Sequence, residues 1–172
     1  MNLDELLPPG GIDALAGQLG ISHDKARTGA AALLPSILSG MNQRAGGAGN
    51  LESEVHSLGG AQLAHNVTGP QPTDVSKGNA LLGSLFGGKD TSRQVAGQAA
   101  QTSGLDAGLL KRMLPVLTML VAGHLSQRAG GQQGGLGGVL GSVVGGLGSG
   151  AGGGALGSGG LGGMLGSVLG KR

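Results

Sequence analysis

The chain contains no cysteine, tryptophan or tyrosine, and its single aromatic residue is Phe86. Without cysteine it can form no disulfide, thiolate metal site or nucleophilic thiol. The lack of large rings disfavours an aromatic-lined ligand groove and a base-stacking surface for single-stranded nucleic acid. The core must therefore be built from Leu, Val, Ile, Met and Ala, a set that suits helices packed closely through Ala and Gly.

Charge and targeting signals are also sparse. The first residues, "MNLDELLPPGG", carry acids where a signal peptide would carry Lys or Arg, and no long apolar run follows them. We therefore expect a cytoplasmic protein. The net charge is only +2, but residues 1–90 hold 5 basic and 8 acidic residues, whereas residues 91–172 hold 6 basic residues and 1 acidic residue. The simplest interpretation of this asymmetry is a solvated surface.

Glycine, in contrast, is abundant, with 41 residues among 172. Residues 130–170 contain 21 of these glycines and no charged residue. Each Gly costs roughly 1 kcal/mol more than Ala to place in a helix, so we expect this stretch to stay flexible or to become helical only on self-association or at a lipid surface. The predicted organisation is an N-terminal segment (1–10), a helical domain (11–130) and a Gly/Leu-rich low-complexity tail (131–172).

Apolar periodicity predicts an all-α fold, a compact irregular helical array followed by the flexible tail. Two long helices are expected at 22–44 and 106–128, each with an internal proline that kinks the helix without ending it. The second is apolar on almost every side between Met113 and Val121, which indicates the centre of a bundle. Shorter helices are expected at 12–19, within 51–67 with a break at Gly59-Gly60, at 75–86 and from about Asp90 to Ser103.

Internal repeats link these elements. Shifting the chain by 84 residues aligns the two long helices and places "QRAGG" at 43–47 on the identical residues 127–131, which suggests an internal duplication. A second repeat lies in the tail, where "GGLGGVLGSVVG" (134–145) and "GGLGGMLGSVLG" (159–170) agree at 10 of 12 positions. A looser copy, "LLGSLFG", occupies 81–87.

The segment "GSLFGGKD" (83–90) nearly matches a phosphate-binding loop. Such a loop follows a strand and ends in a Ser or Thr whose hydroxyl binds magnesium. Here the preceding residues are helical in pattern, and Asp90 stands at the hydroxyl position. We therefore interpret the glycines as a helix end, with Asp90 or Thr91 as the cap of the next helix.

No residue pattern indicates catalysis. The four histidines, His23, His56, His65 and His124, lack the spacing that places two metal ligands on one helix face, so they are expected at the surface or near helix caps. No Gly-x-Ser-x-Gly elbow is present. We predict no catalytic, cofactor-binding or metal-binding residues and no small-molecule substrate.

A helix-turn-helix is the main alternative function. Residues 15–33 have the Ala, the turn Gly and the downstream Ala of that motif, with His23, Lys25 and Arg27 where DNA contacts would fall. Asp24 lies among them and the N-terminal half is acidic, whereas phosphate binding usually needs several basic residues together. A plain helix–turn–helix packing unit is the favoured interpretation.

Two segments resemble a known bacterial family. "GNALLGSLFGGKD" followed by "SGLDAGLLKRMLPVLTMLVAGHL" is similar to domain of unknown function 937, grouped with YidB-like proteins. The resemblance covers about residues 12–130, and a Gly/Leu-rich tail is in keeping with it. It implies an all-α array and no activity, because the family has no established reaction or site residues.

These observations lead to a functional hypothesis. We expect a bacterial, non-enzymatic helical protein that acts as an interaction or scaffold module and self-associates through its Gly/Leu-rich tail. The first alternative is a nucleic-acid-binding helix-turn-helix protein. The second is a protein that associates with a membrane surface through residues 131–172.

Overall fold

A computed structural model describes residues 3–46, 50–130 and 135–148. Within these ranges the chain forms nine α-helices and no strand, which confirms the predicted all-α class. The helices are α1 (Leu3–Leu6), α2 (Gly11–Leu19), α3 (His23–Gly46), α4 (Asn50–Ser57), α5 (Gln62–Thr68), α6 (Val75–Phe86), α7 (Lys89–Ser103), α8 (Ala107–Ala129) and α9 (Gly135–Gly148).

Helix α8 is the centre of the fold, as its composition predicts. It contacts every other described helix, and all its side chains from Met113 to Ala122 are buried. The polar residue in this run, Thr118, donates its hydroxyl hydrogen to the Leu114 carbonyl at 2.7 Å, so its burial leaves no unpaired group. Pro115 and the matching Pro35 of α3 both lie inside helices that continue past them.

By length and composition alone, α8 could cross a membrane, and no other described helix meets that test. Most of its apolar segment is covered by other helices of the chain, however. This is the environment of a core helix, whose side chains lie against protein on all sides.

Several helices approach one another through glycine. A Cβ atom added at Gly123 of α8 would lie 2.3 Å from the backbone nitrogen of Ala64 in α5, and one added at Gly78 of α6 would lie 2.4 Å from the Pro115 carbonyl oxygen. Gly40 of α3 faces the ring of Phe86. Because these positions have no side chain, helix backbones pack directly on one another, as the composition predicts.

The helix boundaries follow local signals in the sequence. Asp106 caps α8, its carboxylate accepting a hydrogen bond from the Leu109 amide at 2.9 Å. Gly20 and Gly104 end α2 and α7 in the left-handed conformation, with φ of 65° and 69°. The predicted break between α4 and α5 occurs at Gly59-Gly60, where φ is 125° and 52°. At positive φ, Gly avoids the steric cost that a side chain would add.

The structure extends the helical region beyond the expected boundary at residue 130. Residues 135–148 form α9, and Leu136, Val139 and Leu140 are buried with the rest of the core. These side chains recur at helical spacing, so one face of α9 removes apolar surface from water and offsets the cost of ordering its glycines. Residues 149–172, the remainder of the expected tail, lie outside the described residues.

The two long helices have similar surroundings. Helices α2 and α7 each contact both α3 and α8, and so do α4 and α9. The amides of Gly20 and Gly104 donate to Ala16 and Ala100, two acceptors that are also 84 residues apart. The internal duplication stays a prediction, with matching helix-end geometry in both halves.

The close contact at Gly123 leads to the first prediction. Gly123→Ala places a methyl group against the α5 backbone, so we expect the free energy of unfolding to fall by about 2–3 kcal/mol. The matched control is Gly97→Ala in α7, where the new methyl meets nothing within 4 Å and should raise stability by about 0.4–1 kcal/mol. Urea unfolding followed by circular dichroism measures both, and equal stability of the two variants would contradict the proposed packing.

Candidate functional site

The predicted DNA-contact residues lie at the start of α3. Helix α2 ends at Leu19, the turn passes through Gly20, and α3 begins at His23, so the helix–turn–helix connection itself is present. His23, Lys25 and Arg27 are all exposed. His23 and Arg27 are four residues apart and share a face, whereas Lys25 is two residues from each and points to a different side of the helix.

Acidic neighbours reduce the positive potential of this surface. The Nε2 atom of His23 lies 3.4 Å from Oδ1 of Asp13 in α2, and both side chains are mostly exposed. Asp24 is exposed in the first turn of α3. The structure thus places the three predicted residues near one another together with two carboxylates, and it does not join them into a continuous basic patch.

The segment "GSLFGGKD" forms a turn between two helices. Gly87 is in the left-handed conformation at φ 72°, and its amide donates to the Gly83 carbonyl at the end of α6. Helix α7 starts at Lys89 without a side-chain cap, and Asp90 lies inside its first turn, 3.0 Å from the guanidinium of Arg93. The expected cap at Asp90 is therefore wrong, because the preceding Gly88 allows the helix to begin one residue earlier.

A cavity of about 540 Å³ lies beside this turn, between α6, α7 and α8. Its lining includes the backbone of Gly88 and the side chains of Ser92, Arg93 and Lys111. Both basic side chains are exposed, and Arg93 is already paired with Asp90. The cavity is thus an open groove, and its two basic residues come from distant parts of the sequence that no local motif connects.

Histidines form no metal site in the described part of the chain, where no group of three His, Asp or Glu side chains converges. His23, His56 and His65 are exposed, as expected. His124 differs, because its Nδ1 atom is buried and has no hydrogen-bond partner among the described residues. Burial lowers the pKa of His124, and the nearby charge of Arg128 adds to this effect, while the Glu5 backbone opposes it.

The Gly/Leu-rich segment provides the most defined contact surface. Helix α9 packs against α3, α8 and α4 through Leu136, Val139 and Leu140, with Val143 partly buried at the same face. We call the surface that receives α9 the α3–α8 groove; it consists of the faces of α3, α8 and α4 that contact α9. The outer side of α9 exposes Gly138 and Gly141, where an added Cβ would meet nothing within 4 Å.

The rest of the described surface is poor in apolar residues. Among the large hydrophobic side chains of the described ranges, Val75 stands out as exposed, at 45% of its full area. Isolated exposed side chains of this kind are normal and do not mark an interface. A partner that binds through apolar side chains therefore has little to contact outside the α3–α8 groove.

Comparison with known proteins places most of this region in one family. A family model described as a bacterial protein of unknown function, DUF937, matches residues 2–128. No curated protein and no solved structure matches the chain. The match agrees with the resemblance that the two quoted segments indicated, and it ends before α9 begins.

The lowered pKa of His124 leads to the second prediction. Below 6.5, the usual His value, the unfolded chain binds a proton that the folded chain resists. We therefore expect the free energy of unfolding to decrease as the pH falls from about 6.5 through the lower pKa of the folded state. Urea unfolding at a series of pH values measures this slope.

Two variants isolate the contribution of His124. His124→Gln removes the titrating group and should flatten the slope in this pH window. The exposed residue His56 provides the control, since His56→Gln should leave most of the slope in place. A slope unchanged by His124→Gln would show that other groups cause it.

Proposed function

We propose that this chain, which belongs to the DUF937 family of bacterial proteins of unknown function, is a non-enzymatic interaction or scaffold module that self-associates through its Gly/Leu-rich C-terminal segment. The observation that carries the proposal is the repeat of α9. The first copy of the Gly/Leu element buries three side chains in the α3–α8 groove, and a second copy follows at 159–170. One chain thus contains one groove and two segments with the sequence that fits it.

The non-enzymatic part of the proposal is supported by the chemistry of the side chains. The sequence has no cysteine and no recognisable nucleophile with its base. Within the described residues, lowered pKa values occur at His124 and at Asp74, and each has a local structural cause. For Asp74 that cause is the hydrogen bonding with Ser76 at the N-terminus of α6. Neither shift requires a catalytic explanation.

Nucleic-acid binding is the first alternative. It is supported by the exposed position of His23, Lys25 and Arg27 at the start of α3. The nearby carboxylates of Asp13 and Asp24 weigh against it, because phosphate binding depends on a net positive surface.

Membrane-surface association is the second alternative. It is supported by the composition of residues 130–170, which combine apolar residues with glycine and contain no charge. The small-xxx-small spacing of glycines in this stretch also suits close helix packing in lipid. We place it behind self-association because the α3–α8 groove already offers α9 a protein surface.

The third prediction tests self-association in the full chain. We expect the mass measured by sedimentation equilibrium to rise with protein concentration. Leu165→Asp, in the second copy, should weaken this association at least about tenfold, because it replaces a buried apolar contact with a charge. Leu156→Asp introduces the same change in the tail outside both copies and should leave association nearly unchanged.

Three outcomes separate the alternatives. A wild-type chain that stays monomeric at every concentration contradicts the proposal. Equal weakening by Leu165→Asp and Leu156→Asp would show that the repeated element has no special role. Flotation of the full chain with liposomes, abolished by either variant, would favour the membrane alternative.

The fourth prediction concerns duplex DNA. Because carboxylates surround the basic residues of α3, we expect no salt-dependent change in the fluorescence anisotropy of a labelled duplex when the full chain is added at low ionic strength. A clear change that Lys25→Ala and Arg27→Ala weaken, and that Lys111→Ala leaves intact, would instead establish the helix-turn-helix alternative. Lys111 is the control because it is exposed on a different helix.

A further inference from the structure

The two copies of the Gly/Leu element match at the positions that contact the groove. A shift of 25 residues maps the buried face of α9 onto the second copy: Leu136 onto Leu161, Val139 onto Met164, Leu140 onto Leu165 and Val143 onto Val168. Every one of these positions stays apolar. The second copy therefore has the side-chain pattern that the α3–α8 groove accepts.

The exposed positions of α9 match as well. Gly138 and Gly141, which point away from the groove, correspond to Gly163 and Gly166. The hydroxyl of Ser142 donates to the Val139 carbonyl on α9, and a serine, Ser167, recurs at the corresponding place. Both faces of the element are thus repeated.

The two differences between the copies favour the second one as a helix. Val139 and Val144 are replaced by Met164 and Leu169. Met and Leu have higher helix propensity than the β-branched Val, and they carry more apolar surface. The second copy should therefore bind the groove at least as tightly as α9 when connectivity is ignored.

Connectivity favours α9 within one chain. Only residues 130–134 separate α8 from α9, whereas residues 130–158 separate α8 from the second copy. Closing the longer loop costs more chain entropy, so the second copy competes poorly for the groove of its own chain. The same long connection gives it the reach to bind another chain.

We propose that residues 159–170 of one chain bind the α3–α8 groove of a second copy of this chain and displace its α9. The proposal rests on the self-association proposed above and names the two surfaces that form it. The groove is chosen because the rest of the described surface lacks an apolar patch and because α9, with nearly the same sequence, fits this groove. If two chains exchange segments reciprocally, the dimer closes with two-fold symmetry.

Matched glycine substitutions test this exchange in the full chain. Gly138→Ala with Gly141→Ala should strengthen α9 as a helix without a clash, because each added methyl meets open space. A stronger α9 holds its groove more firmly, so self-association should weaken by about tenfold or more. Gly163→Ala with Gly166→Ala should strengthen the second copy and raise self-association by a similar factor. The chain with all four substitutions should return toward the wild-type affinity.

Hydrogen exchange read by mass spectrometry supplies the second measurement. On raising the protein concentration, amides of 135–148 should lose protection while amides of 159–170 gain it. This readout separates groove exchange from an interface built on the exposed glycines of α9, which would protect both segments. Circular dichroism confirms that each variant remains folded.

The outcomes distinguish this inference from the proposed function. If the full chain self-associates but the two pairs of substitutions do not act in opposite directions, or α9 stays protected, the groove exchange is wrong and tail-driven assembly stands. Exchange of protection between the segments in a chain that stays monomeric would show binding within one chain and overturn the proposal. If no variant self-associates and protection is unchanged, both proposals fail.

Discussion

The structure depends on how closely other helices approach α8. With one phenylalanine and no larger ring in the chain, the core cannot be filled by aromatic side chains. It is filled instead by Leu, Met and Val around a central helix, and by direct contact of backbones at Gly78 and Gly123. Because α8 contacts every other described helix, a change in its spacing from α5 or α6 affects the whole core.

The same balance explains α9. A helix with this much glycine is unfavourable alone, since each glycine loses more backbone freedom than alanine does. It becomes stable in the α3–α8 groove because Leu136, Val139 and Leu140 leave water together. A segment whose helicity depends on docking can in principle be replaced by another segment with the same face. The repeat at 159–170 supplies such a segment, and this link between packing and sequence is the basis of the proposed function.

The candidate polar sites differ in how far local sequence could predict them. The exposure of His23, Lys25 and Arg27 follows from their position in the first turns of a helix, and Asp24 is visible beside them in the sequence. The approach of Asp13 to His23 depends on how α2 packs against α3, although both residues are prominent in the sequence. The groove containing Arg93 and Lys111, and the burial of His124, likewise arise from contacts between elements far apart in the chain.

The sequence by itself determined the all-α class, the central position of α8, and the glycine and aspartate signals at Gly20, Gly104 and Asp106. These features follow from local rules, because backbone conformation, capping and apolar periodicity act within a few residues. Only the tertiary structure decided that α9 joins the core and that α7 begins before Asp90. Both outcomes depend on which surfaces meet: glycine makes helix formation locally unfavourable, and the apolar face that compensates for it has value only when a groove is present to receive it.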